Sequence, residues 1–159
     1  MPVINTRVDA RMVHGQVAVI WTPGLQIKRI IVANDEAAGS DMERASLRMS
    51  APSSMWLSVL TVQKAADNLN TDRYGNQRIF LVLRTVQDAK RFIEAGGHIE
   101  ELTIGNIAHT EGSHALRQSV SVNDEEIETI NWIIDHGTPV YLQTVPNDPR
   151  QEFRSVLNK

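Results

Sequence analysis

Two short runs of apolar residues constrain the fold of this chain more than any other feature. They are Arg29–Ala33 and Ile79–Leu83, in which apolar side chains follow one another without polar alternation. A strand that is apolar on both faces is typical of a parallel sheet covered by helices on both sides. Further apolar runs, at residues 3–4, 55–60, 102–104 and 139–143, predict additional strands.

Helical segments separate these runs. Met42, Ala45 and Met49 have helical spacing, and Pro52 should end their helix. Polar residues that can cap helices precede the helical segments; they are Ser40, Thr61, Thr85 and Asn123. Strands that alternate with helices from end to end imply right-handed crossovers. We therefore predict a three-layer α/β/α sandwich with a mostly parallel central sheet, formed by a single domain over residues 1–159.

The composition excludes several classes of protein. The chain has 159 residues, is 42% hydrophobic and carries a formal net charge of −3, which gives no bulk attraction to nucleic acid. No apolar stretch approaches the roughly 20 residues that cross a bilayer. Neither a secretory signal nor cysteine is present, which favours a cytoplasmic location. Nucleotide-binding glycine motifs and zinc-type histidine spacings are absent, so we expect no ATP donor, no cofactor and no metal.

The most informative local feature is His14, at the predicted junction of a strand and a helix. The apolar residues after it have helical spacing: Val17, Ile20 and Trp21. A helix that opens at His14 and Gly15 would direct the free amides of Gly15 and Gln16 towards an anion, most naturally a phosphate. A histidine at such a junction can also be only a cap or a buried ring, and on one histidine alone that alternative is favoured.

Three charged residues precede His14, and we expect them in the same turn. Arg7 and Arg11 carry guanidinium groups suited to phosphate oxygens. Asp9 can orient an imidazole or hold an arginine in place. Together with His14, the set is suited to a histidine that carries a phosphoryl group.

Residues 7–17 read Arg-Val-Asp-Ala-Arg-Met-Val-His-Gly-Gln-Val. This string resembles the Arg-Ile/Val-Asp-x-Arg-Leu/Met/Val-Ile/Val-His-Gly-Gln-Val signature of the IIB components of mannose-family sugar phosphotransferase systems, which serve mannose, fructose, sorbose and N-acetylgalactosamine. Residues 30–36, 102–107 and 119–122 also resemble the family. Ala10 departs from the common form of the signature, which has a second acidic residue there. Because that position varies in the family, we assign it no essential role.

The resemblance implies that the protein is a phosphohistidine carrier and a sugar phosphotransferase component. A IIA protein would phosphorylate His14, and His14 would pass the group to a sugar held by the membrane components IIC and IID. Arg11 and the amides of Gly15 and Gln16 would hold the phosphoryl oxygens, while Arg7 or Asp9 would orient the ring and loop. The protein would act at the inner face of the membrane through IIC and IID.

A polar stretch without periodicity runs from Gly105 to about Gln118 and predicts a loop beside His14. Asn106 and His109 are its expected contributors to the site. The pair Gly105-Asn106, together with Val145 and Pro146, resembles the N-acetylgalactosamine branch, which suggests an amino sugar or related hexose derivative.

Other features favour different roles. Asp35 could be a phosphoacceptor of a receiver-like domain, although capping of the next helix explains it better. His98 and His136 lie beside glycines at helix ends, where the imidazole can interact with terminal carbonyls. Two alternatives to the carrier remain: a non-catalytic sugar- or nucleotide-binding regulator, and a small hydrolase with His14 as base. The chain has no Gly-x-Ser-x-Gly nucleophile motif, which counts against the hydrolase.

Overall fold

The structure is a computed structural model that describes residues 3–13, 26–144 and 148–157. The strands of these ranges are β1 (Val3–Asp9), β2 (Arg29–Ala33), β3 (Trp56–Leu60), β4 (Ile79–Leu83), β5 (Leu102–Asn106), β6 (His114–Arg117), β7 (Val120–Val122), β8 (Val140–Leu142) and β9 (Gln151–Glu152). The helices are α1 (Asp35–Ala38), α2 (Asp41–Ser50), α3 (Val62–Leu69), α4 (Val86–Glu94), α5 (Asp124–Asp135) and α6 (Phe153–Leu157).

Seven of these strands form one sheet in the order β3-β2-β4-β1-β5-β8-β9. Neighbouring strands are parallel except β8 and β9, which pair antiparallel. β6 and β7 form a separate antiparallel pair. The predicted α/β class with a mostly parallel central sheet is confirmed.

Two buried apolar clusters, one on each face of the sheet, explain why the β4 run is apolar throughout. Ile79, Leu81 and Leu83 belong to the larger cluster, with residues of α3, α4 and α5. Phe80 and Val82 belong to the smaller cluster, with residues of β2, α1 and α2. Because successive side chains of a strand point to opposite faces, a strand buried on both faces needs apolar residues at every position.

The predicted helix caps are confirmed. The side chains of Ser40, Thr61, Thr85 and Asn123 each accept a hydrogen bond from a backbone N–H in the first turn of the following helix. At Asn123 the bond is reciprocal, since the Glu126 side chain accepts from the Asn123 N–H at 2.9 Å. Such caps satisfy amides that would otherwise lack partners at the helix start.

The apolar spacing in α2 does not identify its buried side. Met42 and Met49 are 83% and 88% exposed, Ala45 is exposed as well, and Leu47 is the residue of α2 that is buried. At 100° per residue, Leu47 lies on the opposite side of the helix from the stripe of Met42, Ala45 and Met49. Spacing alone reveals a stripe, but only packing decides which stripe faces the sheet.

The prediction of a continuous loop from Gly105 to about Gln118 is wrong in two places. β5 continues through Asn106, and His114–Arg117 forms β6, which pairs with β7. β9 was also not predicted. These segments are held by backbone hydrogen bonds to a neighbouring strand, which need no apolar periodicity.

The described ranges contain neither a helix that could span a membrane nor a group of side chains that could hold a metal ion. None of their helices has the length and apolar character needed to cross a bilayer. No three His, Asp or Glu side chains in these ranges are grouped so that they could hold a metal ion.

Candidate functional site

Arg7 lies inside β1 and is almost fully buried, whereas the sequence suggested that it belonged to the turn after the strand. Its guanidinium donates to the backbone oxygens of Gln143, at 2.8 Å, and Thr144, at 2.6 Å. Burial lowers the pKa of Arg7 to about 10, so the group stays charged near neutral pH. Arg7 therefore ties β1 to the segment that follows β8.

Gly105 provides the space that Arg7 occupies. A Cβ atom at position 105 would lie 2.7 Å from Arg7 Nε and closer still to Cζ and Nη2. The hydroxyl of Ser119 donates to the Gly105 carbonyl at 2.9 Å and lies 3.1 Å from Thr144 Oγ1. The ends of β5 and β8 are thus joined around the Arg7 guanidinium.

Asp9, the last residue of β1, is fully buried and fixes Arg11. Its Oδ1 accepts from the Arg11 backbone N–H at 2.9 Å and from Arg11 Nε at 3.3 Å. The Arg11 side chain is 45% exposed, so one edge of its guanidinium is held while the rest reaches solvent. Asp9 Oδ2 also lies 3.9 Å from Arg7 Nε, which places a carboxylate between two arginines.

A tight turn follows Asp9. The Met12 N–H donates to the Asp9 carbonyl at 2.9 Å, and Met12 adopts φ +57, in the left-handed region that residues other than glycine seldom enter. Met12 and Val13 then pack into the smaller apolar cluster, with Val82 and Ala37. The turn therefore directs the chain from β1 towards the side of the sheet formed by β4 and β2.

Asn106 lies beside this turn, since its carbonyl accepts from the Ala10 N–H at 3.0 Å. His109 is exposed and its Nδ1 lies 3.1 Å from the Ser113 hydroxyl.

Several predicted site residues lie outside the described residues: His14, Gly15 and Gln16, with the predicted helix that they would open, and Val145 and Pro146. His136 behaves as expected of a residue at a helix end, with Nδ1 2.7 Å from the Trp132 carbonyl.

A second polar group lies at the ends of β2 and β4. Asn34 caps α1 and donates to Asp88 Oδ2 at 2.7 Å, while Asp35 accepts from the Val62 N–H at 2.8 Å and pairs with Arg91. The Val62 bond, followed by Arg91, lowers the pKa of Asp35, whereas burial raises the pKa of Asp88. Asn34, rather than Asp35, caps the helix after β2. The bonds of Asp35 to α3 and to Arg91 are structural contacts.

Arg84, which directly follows β4, was not predicted from the sequence as a site residue. Its Nη1 lies 3.6 Å from Glu36 Oε2 and 3.8 Å from Glu43 Oε1, and its side chain is 35% exposed. One signal could have found it. A polar residue directly after a buried parallel strand lies at the sheet edge where ligands bind in open α/β folds.

Comparisons with known proteins identify the family of this arrangement. A family model described as "PTS system sorbose subfamily IIB component" matches residues 3–159. The chain belongs to this family. It is 29% identical over 153 residues to the mannose-specific EIIAB component of Escherichia coli K12, which covers 96% of the chain but 47% of that relative. The chain thus spans about half the length of that relative and resembles a part of it.

Two further relatives match over almost their whole length. The chain is 28% identical to the N-acetylgalactosamine-specific phosphotransferase enzyme IIB component 1 of Escherichia coli K12, over 95% of the chain and 96% of the relative. The crystal structure of the IIBSor domain of the sorbose permease from Klebsiella pneumoniae superposes with a TM-score of 0.92 at 27% identity, covering 99% of this chain and 97% of that one. These matches confirm the resemblance based on residues 7–17.

Proposed function

We propose that the protein is the phosphohistidine carrier of a sugar phosphotransferase system, with His14 as the phosphorylated residue. Membership of the IIB family carries this proposal. The described site supports it, because the turn that leads to His14 begins at a buried carboxylate, Asp9, that holds the half-exposed Arg11. Residues 1–159 would form one domain with this role.

In the first step, neutral His14 attacks the phosphorus of a phosphohistidine on a IIA protein. A bond forms between the His14 nitrogen, expected to be Nδ1, and phosphorus, while the nitrogen–phosphorus bond of the donor breaks. In the second step a hydroxyl oxygen of the sugar attacks the same phosphorus, and the bond to His14 breaks. One proton passes from the hydroxyl group to the released His14 imidazole, which thereby returns to its neutral form. Positioning and charge stabilisation are the protein's main contributions to such transfers.

The residues around the turn have separate roles in this proposal. Arg11 and the amides of Gly15 and Gln16 bind the phosphoryl oxygens. Asp9 keeps Arg11 in place, and Arg7 fixes β1 to residues 143–144 and so determines where the turn starts. Asn106 supports the turn from β5, and His109 contributes to the surface that meets partner proteins. No group should activate water, because the phosphohistidine must survive until transfer.

The partners follow from the same proposal. A IIA protein would be the donor, and the membrane components IIC and IID would hold the sugar, so the protein would work in the cytoplasm at the inner face of the membrane. The sugar is proposed to be an amino sugar or a related hexose derivative. The relatives named above are specific for mannose, N-acetylgalactosamine and sorbose, so their names do not select one sugar. Reconstituted transfer that compares N-acetylgalactosamine with mannose tests the choice.

Intact mass spectrometry tests the carrier function. The chain is incubated with phosphoenolpyruvate, the two general phosphotransferase proteins and a IIA protein, and we expect the mass of one added phosphoryl group, labile in acid and stable in base. His14→Ala should abolish the gain. His136→Ala is the matched control and should label fully, because that imidazole binds the Trp132 carbonyl at a helix end. Full labelling of His14→Ala would refute the assignment.

A further inference from the structure

The sheet register places Arg84 beside the start of the His14 turn. β4 lies between β1 and β2, and Leu83 pairs with Val8 on one side and with Ala33 on the other. The next position along β1 is Asp9, and the next along the chain after β4 is Arg84. Val82, two residues before Arg84, faces the smaller apolar cluster, and its register partner Arg7 lies on that same face. Extended by one residue beyond Val8 and Leu83, this register brings position 84 next to Asp9, which holds Arg11.

The course of the turn brings the chain to this side. Val13 packs in the cluster that also contains Val82 and Ala37. His14 is bonded to Val13, and consecutive Cα atoms are only about 3.8 Å apart. Arg84 is two residues from Val82, and its ion-pair partner Glu36 is next to Ala37. Val13, Val82 and Ala37 therefore bring the residue before His14, the end of β4 and the residue after Glu36 into one small cluster.

The contacts of Arg84 leave its charge available to an anion. Its distances to Glu36 and Glu43, 3.6 and 3.8 Å, exceed hydrogen-bond length, and the Glu36 side chain is 84% exposed. Solvent-exposed ion pairs of this kind contribute little stability, so they are readily exchanged for a stronger partner. A phosphoryl dianion binds a guanidinium better than a carboxylate does, because it has more charge and more acceptor oxygens.

We propose that Arg84 is a second phosphoryl-binding arginine, which attracts the phosphoryl group on His14 and rests against Glu36 and Glu43 when His14 is unphosphorylated. The proposal rests on the carrier function proposed above. Arg11 would approach the group from the β1 turn and Arg84 from the end of β4. Their common role would be to stabilise phosphohistidine in its dianionic form.

Phosphorus NMR titration of the phosphorylated protein tests this role. A positive charge beside the phosphoryl group favours its dianion, so removal of that charge in Arg84→Gln should raise the pKa of the phosphoryl group. For charges separated by a distance on the order of 6 Å in water, the expected rise is about half a pKa unit. Arg84→Lys, which keeps the charge, should restore most of the wild-type value.

Arg154→Gln is the matched control. Arg154 is 40% exposed and pairs with Asp135 at 2.7 Å. Asp135 is the last residue of α5, and the chain continues from there to the amino end of β8. Arg154 therefore lies at the amino ends of the parallel strands, whereas Arg84 follows the carboxyl end of β4. Substitution of Arg154 should leave the phosphoryl pKa unchanged. A phosphoryl pKa in Arg84→Gln equal to that of the wild type would overturn the proposal while leaving the carrier function intact. Failure of the wild type to label on His14 would overturn both.

Discussion

Gly105→Ala should destabilise the protein through Arg7. The new Cβ would lie 2.7 Å from Arg7 Nε and closer to the rest of the guanidinium, so the Arg7 side chain must move. It cannot move far without breaking its hydrogen bonds to the Gln143 and Thr144 carbonyls. Each hydrogen bond to a charged group contributes about 1.5–3 kcal/mol, and overpacking a core typically costs about 1–3 kcal/mol. We expect a loss of about 3 kcal/mol in the free energy of unfolding.

Urea denaturation measures this loss, and the midpoint temperature of thermal unfolding should fall by about 6–12 °C for a chain of this size. Gly39→Ala is the matched control, because its Cβ would meet only the Asp35 and Glu36 carbonyls at 3.5 and 3.8 Å, which is ordinary contact. That change should stay within about 0.5 kcal/mol. In an Arg7→Met background, Gly105→Ala should cost at least about 1.5 kcal/mol less than in the wild type. Equal costs in the two backgrounds would refute the account.

Three further predictions concern the charged residues and the ligand. Arg11→Gln should slow phosphoryl transfer from IIA about 100-fold in rapid-quench assays. The midpoint temperature of unfolding should stay nearly unchanged, since the Arg11 side chain is half exposed. An unchanged transfer rate would show that Arg11 has only a structural role. Burial raises the pKa of Asp88, so the folded state binds its proton more tightly and stability should fall as pH rises from 3.8 through the raised pKa. Asp88→Asn should lack this fall in urea titrations, and an identical slope in both proteins would contradict the prediction. Calorimetry with N-acetylgalactosamine or mannose should detect no appreciable binding to the isolated chain, whereas tight binding would favour the regulator alternative.

The general architecture could be predicted from the sequence because its signals are local. Continuous apolar runs such as Ile79–Leu83 predict strands buried on both faces, and capping side chains such as Thr61 predict where helices start. The local string of charged residues that ends at His14 was likewise enough to indicate the family. In all of these cases the informative residues lie within about ten positions of one another.

The roles of individual site residues depended on contacts between distant parts of the chain. Arg7 belongs to the charged string of residues 7–17, yet its partners are the backbone carbonyls of residues 143–144. Every residue has a backbone carbonyl, so the sequence cannot indicate which ones accept these hydrogen bonds. Gly105 matters because β5 pairs with β1, and Arg84 matters because β4 is inserted between β1 and β2. The outward stripe of Met42 and Met49 was likewise decided by packing. Strand order and helix rotation are set by how all the apolar faces are buried together, so local sequence determined the elements and only the tertiary structure determined their neighbours.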